Sequence, residues 1–284
     1  MKKLILKKVA QLVRNIFGKK TLSRFILFLS RVGQINLLTF AYNEIGILNP
    51  GNYIVSGESF VIKNILKKET SGKEQILFDI GANKGNYAEM LCKELPESKI
   101  FAFEPNFRAY EILKRKFADR TVKVLNKGLG SDKSVKKIYS YAEDSGSSHS
   151  STFKEVFTKI HQVENLTEMD FACTTIDDFC AENKIDEVDF IKIDTEGGEL
   201  DILKGARRML KENRIKFIQF EFNEMNVVSR VFLKDFYEIL GQYELFRLHE
   251  KGLIPLGSYN PKNEIFQFQN ILAINHTASQ NYKT

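Results

Sequence analysis

The segment Ile76-Leu77-Phe78-Asp79-Ile80-Gly81-Ala82-Asn83-Lys84-Gly85-Asn86 decides how the rest of the chain is read. An apolar run of this length marks a strand buried on both faces, and it ends in a G-x-x-x-G turn that leads into a helical stretch. Glycines in such a turn let the backbone approach a ligand closely, and the free N–H groups of the helix start are expected to point at it. The spacing differs from the G-x-G-x-x-G of a dinucleotide pyrophosphate site and favours a smaller ligand. Nineteen residues beyond Gly85, a second apolar run ends in Phe101-Ala102-Phe103-Glu104-Pro105. An acid at that strand tip can accept hydrogen bonds from both hydroxyls of a ribose. The competing reading is that Glu104 and Pro105 only open the next helix.

Outward from this core, short apolar runs alternate with helical stretches, the signature of an α/β fold with a mostly parallel sheet. The pattern predicts strands over 75–80, 99–104, 122–126, 188–194 and 217–222, with helices over 60–68, 86–95, 106–118, 175–183, 200–210 and 231–240. Residues 244–249 and 267–275 read as two more strands, antiparallel to each other. The alternation breaks between 131 and 171, where 136–141 is expected as an edge strand and the serine-rich run 145–151 as a binding loop or lid.

A chain of 284 residues that is 43% hydrophobic can bury a large core. Its three cysteines, Cys92, Cys173 and Cys180, are odd in number and lack a C-x-x-C spacing. This argues against a disulfide framework or a cysteine zinc site and for a reducing, cytoplasmic setting. The net charge of +6 is unevenly spread: no acidic residue precedes Glu44, while nine Lys and Arg do, leaving the remainder slightly acidic. A nucleic-acid-binding core is therefore not expected. Residues 1–45 read as a basic amphipathic helical extension and 46–284 as the main domain. Within the extension, residues 1–31 fit either peripheral contact with an anionic membrane at its inner face or a helix packed on the domain. The longest uncharged run within residues 1–31, 25–30, is far short of the roughly 20 residues needed to cross a bilayer.

Asp79 adds negative charge beside the glycine turn, suited to a ligand with a cationic group. Together Asp79, Gly81, Ala82, Asn83, Gly85, Asn86, Glu104 and Pro105 point to S-adenosylmethionine, its amino-acid end in the turn and its ribose on Glu104. Asn126, closing the third strand, is a candidate for the adenine. Asp194 and Glu196 follow the strand 188–194 at i and i+2, and an extended chain there would turn both toward one side, outside the carboxyl ends of the strands. They are the candidate catalytic carboxylates, Asp194 orienting or deprotonating an acceptor; alternatively, Asp194 or Thr195 caps the next helix. His149, in the serine-rich loop, is a further candidate base. Glu221 and Asn223 end another strand and are candidates for contacting the acceptor. No metal-ligand spacing occurs, and no metal is expected.

The segments Asp79 to Gly85, Phe103-Glu104-Pro105, Thr175-Ile176-Asp177-Asp178-Phe179, Ile191-Lys192-Ile193-Asp194-Thr195-Glu196-Gly197 and Leu203-Lys204-Gly205-Ala206 resemble those of the FkbM methyltransferases. The resemblance covers residues 56–275. It implies a Rossmann-like class I methyltransferase fold, a mostly parallel seven-stranded sheet with helices on both faces, and S-adenosylmethionine as donor. It also implies O-methylation of a hydroxyl on a saccharide, glycan or polyketide-like product. The alternatives are a small-metabolite or nitrogen methyltransferase and a non-catalytic S-adenosylmethionine-binding module of a glycan assembly complex.

Overall fold

Phe78 stands at the middle of the fold, its ring meeting Phe101, Phe103 and Phe179 edge-on at 5.4, 5.5 and 5.6 Å between centroids. The computed structural model describes residues 8, 11, 15, 17–69, 74–118, 122–141, 150–163 and 165–279. They form two compact units, residues 1–44 and 45–284. In the first, helix α1 (Lys19–Val32) ends at Gly33, and helix α2 (Leu37–Glu44) starts where Asn36 Oδ1 accepts hydrogen bonds from the N–H groups of Leu38 and Thr39.

The second unit begins with helix α3 (Glu58–Asn64) and is built on an eight-stranded sheet. Strands β1 (Ile76–Ile80), β2 (Lys99–Phe103) and β3 (Val122–Leu125) run parallel to one another. On the other side of β1 come β8 (Val188–Ile193) and β9 (Ile215–Phe222), also parallel. The last strand, β12 (Gln269–Asn275), lies antiparallel between β9 and β10 (Tyr243–His249), and β11 (Gly252–Pro255) adds a hairpin at the edge. The order is thus β11-β10-β12-β9-β8-β1-β2-β3. The sheet is mixed and has eight strands, one more than the seven expected. The short hairpin at Gly252 lacks the apolar run that marks the central strands.

Apolar side chains fill both faces of this sheet: Phe78, Ile80, Ile191 and Phe220 pack on one side, Leu77, Ile100, Phe190 and Phe217 on the other. Two-sided burial is why these strands read as continuous apolar runs. Helices α4 (Asn86–Glu94) and α5 (Phe107–Lys116) are the crossovers after β1 and β2. Helix α6 (Ile176–Glu182) is capped by Thr175 Oγ1, which accepts the Asp178 N–H at 2.9 Å. The single helix expected over 200–210 is two, α7 (Glu199–Lys204) and α8 (Arg207–Lys211). They break at Gly205, where a Cβ would lie 2.0 Å from the Gly130 carbonyl oxygen.

The segment 136–141 does not edge the main sheet. It belongs to β5 (Ser134–Tyr141), which pairs over eight residues with β7 (Leu166–Thr174) in a second, four-stranded sheet completed by β4 (Gly128–Leu129) and β6 (Ser150–Ser151). Gly128 is therefore strand. Charged side chains face outward here, Lys137 pairing with Glu168 and Asp170 on the neighbouring strand. That polar outer face is why β7 has no apolar signature. The serine-rich loop up to residue 149, with His149, lies outside the described residues.

Candidate active site

Three strand ends meet at one cleft. At the first, Gly81 has φ +80°, and a Cβ on it would stand 1.8 Å from the carbonyl oxygen of Asp194. Only glycine lets the turn after β1 press against the turn after β8, and the Asp194 N–H donating to the Ile80 carbonyl at 3.0 Å ties the two together. The N–H groups of this turn are spent within the protein. Those of Gly81 and Ala82 both donate to Phe103 O at 3.0 Å, that of Gly85 to Ala82 O, and that of Asn83 to Glu104 Oε2 at 2.7 Å. The turn is bolted to β2, and Glu104 is one of the bolts.

At the second strand end, Glu104 is buried at the cleft wall, with Oε1 accepting the Asn106 N–H at 2.8 Å. Asn106, not Pro105, caps the helix that follows, through the N–H groups of Arg108 and Ala109. Burial raises Glu104 to about 7, although the two backbone N–H groups it accepts pull it down. A carboxylate held this way has lone pairs left for a ligand's hydroxyls.

At the third, the chain does not stay extended after β8. Glu196 takes φ +54° and Gly197 φ +106°, so the segment curls. Glu199 reaches back into the curl, its Oε1 accepting from the N–H groups of Thr195 and Gly197 at 3.0 and 3.1 Å and from Thr195 Oγ1 at 3.1 Å. Burial lifts Glu199 to about 7. Neither Asp194 nor Thr195 caps α7, whose N-cap is Gly198. Asp194 instead accepts a hydrogen bond at 2.7 Å from Lys192 Nζ.

Lys192 carried no assignment from the sequence. The register sets Asp79, Lys192 and Gln219 side by side across β1, β8 and β9, a polar row inside the sheet. Lys192 is buried, and its ammonium lies 4.9 Å from the ring centroid of Tyr87. Burial opposes its charge, but Asp194, Glu58, Asp79 and Glu221 outweigh that and hold it firmly protonated. Gln219 Nε2 donates to Glu58 Oε1 at 3.2 Å while its Oε1 accepts from Tyr87 OH at 3.2 Å, and Ser56 Oγ donates to Glu58 Oε2 at 2.7 Å. Burial raises Asp79 to about 6 against the pull of Lys192, and neither of its oxygens has a hydrogen bond of good geometry. The signal that could have found this row is a polar residue inside each of three apolar runs, since a buried charge demands a partner.

The cleft measures about 490 Å³, within the range for a small-molecule site. Of the residues singled out from the sequence, Gly81, Asn83, Glu104, Pro105, Asp194 and Glu196 line it. Asp79, Ala82 and Gly85 are buried behind it. Asn86 is exposed and accepts from Lys116 Nζ at 3.1 Å. Asn126 does not line the cleft; its amide donates to the carbonyls of Glu104 and Pro105 at 2.9 and 3.1 Å, which steadies the β2 tip. Asn223 turns the chain into the helix Met225–Ser229 by accepting the Met225 N–H, and its amide donates to Glu221 Oε2 at 3.3 Å. Neither Glu221 nor Asn223 lines the cleft. Loss of water and the neighbouring Asp194 push Glu221 well above the usual carboxylate range. The apolar side of the cleft comes from Ile138, Phe171 and Phe153, on and next to the second sheet. Ser150 and Ser151 fasten that sheet across the opening, one accepting from Asn106 Nδ2 at 3.0 Å and the other donating to Glu196 O at 2.8 Å.

The sequence profile described as the methyltransferase FkbM domain matches residues 79–245, more than half the chain and all three strand ends. The chain belongs to the FkbM methyltransferase family. It is similar to the 2-O-methyltransferase NoeI of Sinorhizobium fredii, 22% identical over 191 residues that cover 63% of this chain and 76% of that one. It is also similar to the hexuronic acid methyltransferase AglP of Haloferax volcanii, 27% identical over 170 residues, covering 59% of this chain and 63% of the relative. Among solved structures, the plantazolicin methyltransferase BpumL, solved with SAH, aligns over 86% of this chain and 91% of its own at 12% identity and a TM-score of 0.43. That structural likeness is too loose to bear on the acceptor.

Proposed function

We propose that this FkbM methyltransferase transfers a methyl group from S-adenosylmethionine to a hydroxyl of a saccharide or glycan intermediate. The observation that carries the reading is the convergence of Glu104, the Gly81–Asn83 turn and the Asp194–Gly197 turn on one cleft. Glu104 accepts the ribose hydroxyls, and the apolar side formed by Ile138 and Phe171 suits the adenine. When bound, the donor supplies an activated methyl group on a sulfonium. The chain's own part is to exclude water and align the acceptor oxygen opposite the departing sulfur. Asp194, fixed by Lys192, accepts a hydrogen bond from the acceptor hydroxyl and takes its proton as the methyl group transfers. Glu196 lies beside it on the same wall. Asp79 sits beneath the turn and acts on a cationic ligand through its field, without contact. The saccharide acceptor is supported by the names of two relatives, a 2-O-methyltransferase and a hexuronic acid methyltransferase.

The test is calorimetry with S-adenosylmethionine and its demethylated product, followed by transfer of labelled methyl into saccharides extracted from the source cells. Saturable binding plus label in a sugar hydroxyl supports the reading. Binding without transfer to any acceptor pool reduces the chain to a donor-binding module, and label on nitrogen or on a non-sugar metabolite removes the saccharide.

A further inference from the structure

Helix α1 carries Leu22, Phe25, Ile26, Leu29 and Val32 at steps of three and four, which sets them on one face, with Phe28 at its margin. Lys20, Arg24 and Arg31 fall together on the opposite face. In a soluble helix the apolar face is covered, yet Phe25, Phe28 and Val32 are 55%, 60% and 67% exposed. Helix α2 repeats the situation: Leu38 and Phe40 are 61% and 55% exposed, and none of its residues is buried. Between the helices Ile35 is exposed as well. The apolar surface of the unit is therefore large and unpartnered among its described residues.

Charge says what covers it. Before Glu44 the sequence holds nine Lys and Arg and no Asp or Glu. An apolar face flanked only by cations matches acyl chains beneath anionic headgroups. Length then decides the posture. The 14 residues of α1 extend about 21 Å, short of the roughly 30 Å hydrocarbon core. No single described helix is long and apolar enough to cross a membrane; the segments Lys20–Val32 and Leu37–Glu44 reach that length and composition only together, and they meet at 99°. A bend of that size suits a pair embedded at the surface.

We propose that residues 19–44 form an interfacial module that holds this methyltransferase on an anionic lipid bilayer, with Phe25, Leu29, Val32 and Leu38 in the acyl region and Lys20, Arg24 and Arg31 at the headgroups. The reading is independent of the acceptor's identity.

The experiment is co-sedimentation of the full chain with phosphatidylcholine vesicles, with and without about one third phosphatidylserine. Two variants accompany it, Phe25→Glu/Leu29→Glu for the apolar face and Lys20→Gln/Arg24→Gln/Arg31→Gln for the charge, each checked for unchanged S-adenosylmethionine binding. Expected is at least tenfold stronger partition onto the anionic vesicles, return to background for the apolar variant, and loss of the anionic preference for the charge variant. The proposal is overturned by an unbound full chain, or by binding that the apolar variant leaves intact. It is equally overturned if the full chain is a dimer that the apolar variant makes monomeric while neither form binds vesicles, since a second copy would then be the occupant.

Discussion

Glu104 serves two masters, and its chemistry follows from that. It braces the glycine turn through the Asn83 N–H and presents its carboxylate to the cleft. With its carboxyl raised to about 7 by burial, it is partly protonated near neutrality in the empty protein. Ribose hydroxyls favour the ionised form, so donor binding should release a proton and tighten as pH rises from about 6 to about 8. Glu104→Gln should weaken the donor roughly 10- to 100-fold, the value of losing one or two charge-assisted hydrogen bonds, and flatten that pH dependence in calorimetry. Asp194→Asn should leave donor affinity within a few-fold of the parent and lower kcat at least about 100-fold, the usual scale of a general base. An unchanged kcat on the true acceptor would remove Asp194 from the reaction. Both residues were legible because they stand where apolar runs stop. Lys192 was not read as functional, because within Ile191-Lys192-Ile193 the sequence shows the burial but not the carboxylates that come from Glu58, Asp79 and Glu221, far away in the chain.

At the scale of elements, the polar row across β1, β8 and β9 works as a single ionic unit. Removing the cation from it leaves several acids without compensation, so Lys192→Met should cost about 3 kcal/mol or more in denaturant unfolding. Adding Asp79→Asn, its register neighbour, should recover part of that loss, whereas the two changes would simply add if the row were a set of independent sites. The glycine turn makes a second element-level prediction. Gly81→Ala demands both a left-handed φ and space already filled by the Asp194 carbonyl, so the two turns must separate. Donor binding should fall by at least tenfold even where the variant still folds, as judged by circular dichroism. The central strands were readable because burial on both faces leaves no alternation to misread. Strands β5 and β7 were only half readable: one face is polar, and their pairing is fixed by contacts between segments about 30 residues apart, for which sequence periodicity carries no signal.

For the whole molecule, the raised carboxyls add up. Asp79 moves from 3.8 to about 6, and Glu104 and Glu199 each move from 4.5 to about 7. Each is raised in the folded state, so the native protein binds more protons than the unfolded chain between those limits. Stability therefore falls as pH rises from about 4 to about 7, and the penalty is complete above that window. The empty protein should melt at least about 4 °C higher at pH 5.5 than at pH 8, a shift set by a few kcal/mol in a domain of this size. Saturating donor should narrow the gap by stabilising the ionised Glu104. A flat or reversed profile in scanning calorimetry would show that these groups are better solvated than their burial implies. The division into a basic front segment and a mildly acidic body was plain from charge counts alone, whereas the bend between α1 and α2 was not.

The position of β12 bears on how the protein is made. This strand, buried along its whole length, fills the slot between β9 and β10. While a ribosome is still adding it, β10 and β11 have no edge to join, and β9 presents a bare row of backbone donors and acceptors to any passing chain. The cleft is encoded well upstream, yet the nascent polypeptide cannot seal its sheet until β12 itself has been made. Messages cut short before the codon for Gln269 should accordingly yield product that chaperones retain or proteases clear.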